Sequence, residues 1–264
     1  QVLAIINQFA VLEKDHDLIG SFILDFEFGR DYAWSLTSLK QLGFKVGIAT
    51  TRILKPKEYH HLKNIIRLNP DFALVRNLGA IAFLQKSAPH IPLRGDFSLN
   101  VTNSFSAKYL LDKGLQSLNV SLDLNEKHLR DLVFEMKDLK SKLEITLHQY
   151  MPEFHMEHCV FAAFLSHGSS FRDCGKPCEK HRVKLKDPYQ EFHYLKADQE
   201  CRNTFFRSSP QSLALMVDQL SGVGHFRFEA LNEGQDELLH KIQLYLKFLK
   251  KEISPFVLSQ HLKT

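Results

Sequence analysis

The chain has 264 residues, 44% of them hydrophobic, enough to bury a sizeable core in one large α/β barrel or in two smaller domains. Its 34 basic and 30 acidic residues leave a formal charge of +4, too balanced for a strong nucleic-acid or anionic-membrane footprint, although a basic patch on one face stays open. No stretch reaches the roughly 18 uninterrupted apolar residues of a membrane span, and no charged-then-apolar leader opens the chain, so a soluble, cytoplasmic protein without membrane partners is expected.

Gln1 runs directly into the apolar run Val2–Ile6, which reads as a strand and as the start of a domain cut from a longer chain, with neighbouring domains of that parent as partners. Further β-rich runs follow at Phe22–Phe26, Lys45–Thr50, Phe72–Val75, Ile91–Asp96, Ser117–Leu122, Leu143–His148 and His225–Ala230. Helical periodicity fills the intervals. Asp31–Leu42 stops at Gly43, Pro56–Leu68 opens with a proline, and Ser104–Lys113 stops at Gly114; Glu126–Leu143, Ser212–Leu220 and Gln235–Ile253 supply later helices. This alternation signals parallel strands joined by crossover helices, and eight strands is the number of a closed barrel. The expected fold is an α/β, TIM-like (β/α)8 barrel in one domain over residues 1–264, with a Cys/His-rich insertion at 148–203 between the seventh and eighth strands. An open doubly wound sheet shares the alternation, but no glycine-rich phosphate loop follows the first strand.

In a barrel, the residues just past each strand's carboxyl end face the active site. Here they are Asp25 and Glu27, Thr50 to Arg52, Arg76 and Asn77, Asp96, Ser98 and Asn100, Asp123 and Asn125, His148 and Gln149, and Glu229. Loops are polar anyway, so any one of these residues has an ordinary explanation. As a set they suit a polar, anionic small group held by Arg52 and Arg76, with Asn77, Asn100, His148 and Glu229 completing a substrate pocket that Asp96 helps to shape as a candidate catalytic residue.

Six of the 14 histidines and all four cysteines lie between residues 148 and 201. Clustering favours a site over disulfide staples, which a secreted protein would spread along the chain. Four thiolates, Cys159, Cys174, Cys178 and Cys201, complete one tetrahedral zinc or one iron–sulfur cluster, although the spacing matches no standard zinc-ribbon or ferredoxin run. The competing reading makes Cys159, in the apolar run Val160–Leu165, a buried core thiol. His155 and His158, three apart, could both reach one metal from a helix turn, or act with Glu157 as catalytic groups. The segment His155-Met156-Glu157-His158 is not the zinc-protease helix motif, whose two histidines stand four apart.

The segments Phe154–Phe161, Asp173–Glu179, Asp198 with Cys201-Arg202-Asn203-Thr204, Leu74–Gly79 and Asp96–Asn100 together resemble the peptidase U32, or collagenase-like, family, in particular its longer bacterial and plant members. That resemblance implies either a peptidase of undefined catalytic type or a barrel that binds a [4Fe–4S] cluster and supports oxygen-independent hydroxylation of RNA or a small aromatic ring. It makes Cys159, Cys174, Cys178 and Cys201 the cluster ligands; some members carry a further cysteine where this chain has Ala162. Three expectations follow. The first is an iron–sulfur enzyme acting on RNA or a small molecule, the second a U32 peptidase, and the third a zinc-stapled binding module without enzyme activity.

Overall fold

The computed structural model describes residues 9–15, 17–168 and 170–262. The expected first strand, Val2–Ile6, lies outside the described residues. Six strands open the first sheet: β1 (Phe22–Leu24), β2 (Val46–Ala49), β3 (Phe72–Val75), β4 (Leu93–Gly95), β5 (Ser117–Asn119) and β6 (Leu143–Gln149). They pair in chain order and in parallel. Every residue of β2, β3 and β6 is buried, as in a parallel sheet with both faces covered. Gly47 belongs to that packing: a Cβ there would collide with the Phe72 ring.

The chain then builds a second sheet from β7 (Pro152–Met156), β8 (Val183–Lys186), β9 (Phe192–Ala197) and β10 (Asn203–Phe206), ordered β7-β10-β9-β8 and antiparallel throughout. It returns to the first sheet with β11 (Gln211–Ser212), antiparallel to the far end of β6, and β12 (His225–Phe228), parallel to β6. Among the described residues the first sheet thus has seven parallel strands, β1 to β6 and β12.

Five helices follow the first five strands: α1 (Arg30–Gln41), α2 (His60–Leu68), α3 (Leu78–Ser87), α4 (Ser104–Asp112) and α5 (Glu126–Glu135). The last three share one start signal. Asn77, Asn103 and Asn125 each accept the backbone N–H of the third residue on, Ala80, Ser106 and His128, at 2.7, 2.9 and 2.9 Å. Their inner faces, among them Leu84, Ala107, Leu110, Leu129 and Leu132, join one core with Ile48, Val75 and Leu118. In the second sheet a short helix, α6 (Val160–Leu165), packs Val160 and Phe161 on Leu195 and Ala197. α7 (Gln235–Leu249) and α8 (Pro255–His261) close the chain.

Several expected helices are shorter. α2 opens at His60 rather than Pro56, because Lys57 takes φ 77° in a turn. The stretch after Glu135 and the segment Ala214–Gln219 are 3₁₀ helices, and Lys251, at φ 62°, divides the expected Gln235–Ile253 helix from α8. α3, α6, α8 and all four strands of the second sheet have no counterpart among the expected elements.

The first sheet curls strongly. Asp96, just past β4, accepts from Arg76 past β3 at 2.7 Å and from Arg227 on β12 at 2.6 Å, while Arg76 also reaches Asp25 past β1 at 2.8 Å. Four side chains thereby connect the sheet's two edge strands across its concave side. The second sheet lies over the strand ends at that mouth: Lys196 donates to Asp25 O at 3.1 Å, Gln199 to Phe26 O at 3.3 Å, and Lys55 pairs with Glu157 at 2.6 Å. No helix of the described residues is long and apolar enough to cross a membrane.

Candidate functional site

The mouth is a network of charges, and most of the expected substrate residues are already engaged in it. Burial works against the charge of Arg76, but Asp25 and Asp96 outweigh it and raise its pKa; Arg227 is raised in the same way by Glu144, Asp96 and Glu229. The Asp96 carboxylate, fully buried, is lowered by the same two arginines against the desolvation that would raise it. A buried carboxylate between two guanidiniums is a fixed counter-charge, so Asp96 as placed organises the mouth. Asn77 caps α3 and donates to Thr51 O at 3.0 Å. His148 is buried, stacked on Phe228 at 4.5 Å, with Nδ1 3.2 Å from Tyr245 Oη and Nε2 3.7 Å from Glu233. Glu229 pairs with Arg227 at 3.1 Å. Asn100 is exposed in a left-handed turn at φ 55°. Arg52 differs: it stacks on Phe97 at 5.1 Å, forms no ion pair among the described residues, and has its pKa lowered by burial and by Arg76.

His155 and Glu157 do not share a helix turn with His158, because His155 lies in β7 and the next residues form a bend. This corrects the helical reading: His155 points into the mouth, whereas His158 is exposed and Glu157 is tied to Lys55 and, at 2.7 Å, to Arg202. His155 Nδ1 sits 2.9 Å from Thr204 Oγ1, and Nε2 faces Asp198 Oδ2 across 3.9 Å. Burial pushes the imidazole down to about 4, helped by Arg52, Arg202 and Arg76, so it is neutral at neutral pH. Burial raises Asp198, whose Oδ1 accepts the N–H groups of Glu200 and Arg202, both at 2.9 Å. His155 Nε2 and Asp198 Oδ2 are buried without a hydrogen-bond partner among the described residues. A neutral imidazole and a carboxylate facing one gap beside a free guanidinium can relay a proton or receive a polar ligand.

The cysteines gather on the other side of the second sheet. Cys159 and Cys178 pack with Met156, Val183 and Phe205 against the core of Val160, Phe161, Leu195 and Ala197. Cys159 Sγ accepts the Ala162 N–H at 3.4 Å and Cys174 Sγ the Lys176 N–H at 3.4 Å. Cys201 takes the left-handed φ of 63° in the turn that Asp198 Oδ1 holds. Its thiol is pushed up to about 11 by burial and then by Cys159, Cys178 and Cys174, so the four sulfurs share one locality. All four are free thiols. Soft thiolate donors suit one tetrahedral zinc or one iron–sulfur cluster. Asp187, Glu191 and His193, at the far hairpin of β8 and β9, have ligand atoms within 4.8 Å of one another.

The model of peptidase family U32 matches residues 30–255. The chain belongs to that family. Among curated relatives, tRNA hydroxylation protein P of Helicobacter pylori strain J99 is 29% identical over 154 residues, covering 56% of this chain and 36% of its own length. The protein of the same name from strain 26695 is 28% identical over 155 residues, with the same coverage. The matched stretch therefore spans about a third of the length of these relatives. The solved structure of the U32 peptidase Mk0906 covers 81% of this chain and 85% of its own, with 12% identity and a TM-score of 0.44.

Arg227, Arg202, Asp198 and Thr204 join the site without having been picked out as site residues. Arg227 had a signal: it is a charge inside a β run, between Phe226 and Phe228. Arg202 is buried, donating to Glu58 at 2.9 Å and to Glu157 at 2.7 Å, from a turn whose sequence does not announce burial.

Proposed function

We propose that this U32 chain modifies RNA, by the tRNA hydroxylation named for its Helicobacter pylori relatives, with a [4Fe–4S] cluster held by Cys159, Cys174, Cys178 and Cys201. The observation that carries the reading is the gathering of four free, half-buried thiols in one locality, of which Cys159 and Cys178 pack on the second sheet's apolar face, while its other face looks onto the polar mouth. When bound, the cluster supplies electron transfer, or Lewis-acid chemistry where an iron lacks a protein ligand. The chain's own residues do the rest. Arg52 offers an unpaired cation to an anionic or carbonyl group, and His155 with Asp198 holds or moves a proton at Nε2. The fixed charges of Asp25, Arg76, Asp96 and Arg227 keep the mouth's shape while substrate enters.

The reading includes a closed barrel, supported by the approach of the sheet's edges, where a Cβ on Gly20 would stand 3.8 Å from His225 Nδ1. It also includes a cytoplasmic setting, where free thiols persist.

The test is mass spectrometry of tRNA nucleosides from cells expressing the chain or its Cys174→Ser/Cys178→Ser variant. A hydroxylated nucleoside that depends on the two cysteines is expected. Unchanged tRNA, together with peptide hydrolysis by metal-free protein, would replace this reading with the peptidase one.

A further inference from the structure

The second sheet has two unlike faces, and the cysteines use one of them. Val183, Leu195, Ala197 and Phe205 point toward α6 and the thiols. The register puts the alternate residues on the opposite face: Lys184 across from Tyr194, Lys186 across from Phe192, and Thr204 across from both Lys196 and His155. Lys184 Nζ lies 4.7 Å from the centre of the Tyr194 ring and Lys186 Nζ 5.5 Å from that of Phe192. Neither lysine is ion-paired among the described residues; both are exposed, and Phe192 is 52% exposed. This face contributes no carboxylate from β8, β9 or β10. At its inner end Lys196 meets Asp25 and His155 meets Asp198, so the strip of rings and ammonium groups leads into the mouth.

We propose that this face docks single-stranded RNA, with bases on Phe192 and Tyr194, phosphates on Lys184 and Lys186, and the strand directed so that one nucleotide enters the mouth at His155. The identity of the polymer rests on the RNA-modification reading above. The chemistry is that of a stacking platform in a basic track: every base has a π face, so stacking tolerates sequence, and ammonium groups beside the rings meet the backbone. The two rings are two residues apart on one strand, about 6.8 Å, so each takes its own base. A duplex hides its bases and offers phosphates alone. An enzyme that reacts with a base must also take it out of the stack, which a strip ending at a polar mouth accomplishes. The chain's small net charge is no obstacle, because Lys184, Lys186 and Lys196 share this one face.

Fluorescence anisotropy with a short labelled single-stranded RNA and its duplex, over a range of salt, tests this on the chain itself. The single strand is expected to bind more tightly than the duplex. Lys184→Ala/Lys186→Ala should reduce the slope of log K against log salt by about 1.4, two phosphates at about 0.7 each. Phe192→Ala and Tyr194→Ala should each weaken binding about tenfold, with Tyr194→Phe close to wild type as the check that the ring, not the fold, is lost. Lys108→Ala/Lys127→Ala, on the barrel's outer helices, should change nothing. An unaltered slope in the lysine variant, or equal affinity for duplex, overturns the proposal. Cys174→Ser/Cys178→Ser separates the two readings: RNA binding that persists while modification is lost supports both. Binding by wild type with no modification in any form removes the RNA-modification reading and leaves the strip. Modification with full binding by the strip variants removes the strip alone.

Discussion

The two sheets bury very different amounts of surface. The parallel sheet hides both faces, under helices on one side and against its own curl on the other, and its core runs from Phe9 to Leu246. The second sheet rests on Val160, Phe161, Leu195 and Ala197, and is fastened to the parallel sheet and its loops by hydrogen bonds and ion pairs such as Arg202 with Glu58. Buried apolar area scales with stability, so the parallel sheet carries the fold and the second sheet carries adjustable chemistry. The thiols, His155 and Asp198 all sit on the less stable of the two.

The largest expected effect comes from Asp96, the carboxylate shared by two buried arginines of the curled sheet. Asp96→Ala leaves Arg76 and Arg227 buried without their shared counter-charge and should cost about 3–5 kcal/mol in urea unfolding. A loss below 1 kcal/mol would mean that the mouth network does not brace the curl. Leu195→Ala should cost about 2–3 kcal/mol. That loss should appear as faster hydrogen exchange over residues 152–206 while β2 and β3 stay protected; uniform loss would show that the two sheets unfold as one unit.

Acidification should order the two regions in the same way. Burial holds the folded pKa of His155 at about 4 against an ordinary value of 6.5, so its neutral form favours the folded state above 6.5, and that contribution is lost as pH falls toward 4. Asp25 and Asp96 are lowered from 3.8, so their contribution is present above that value and disappears only as pH falls below it. The second sheet should therefore loosen first, the parallel sheet later, and His155→Gln should erase the first phase seen by tyrosine fluorescence, while Trp34 on α1 reports the later one. The smallest expected effect is Asn125→Ala, which removes the cap of α5 and should cost about 1 kcal/mol in thermal melting.

The parallel sheet was far more legible than the site. β3 falls on Phe72–Val75 as the β-rich run predicted, and the strands around it differ only at their ends. Buried parallel strands are continuous apolar runs, which need no partner to be seen. The second sheet is less legible because its strands are not continuous apolar runs: one face is polar, as in Phe192–Ala197, where a histidine and a lysine interrupt the apolar positions. Strand-end positions brought Arg52, Arg76, Asp96 and Glu229 to one mouth. Which of them is free could not be read, because the partners are remote: Asp25 is 51 positions from Arg76, and Asp96 131 from Arg227. Arg52 and Arg76 look alike in sequence, yet only Arg52 is left unpaired among the described residues.

The central claim is that the four cysteines hold an iron–sulfur cluster. Iron and acid-labile sulfide analysis, with a visible spectrum, of protein purified without oxygen tests it most directly. The account predicts about four iron and four sulfide per chain and a broad brown absorption that Cys174→Ser/Cys178→Ser abolishes. About one zinc per chain, or folded protein with no metal and an unchanged double variant, would contradict it.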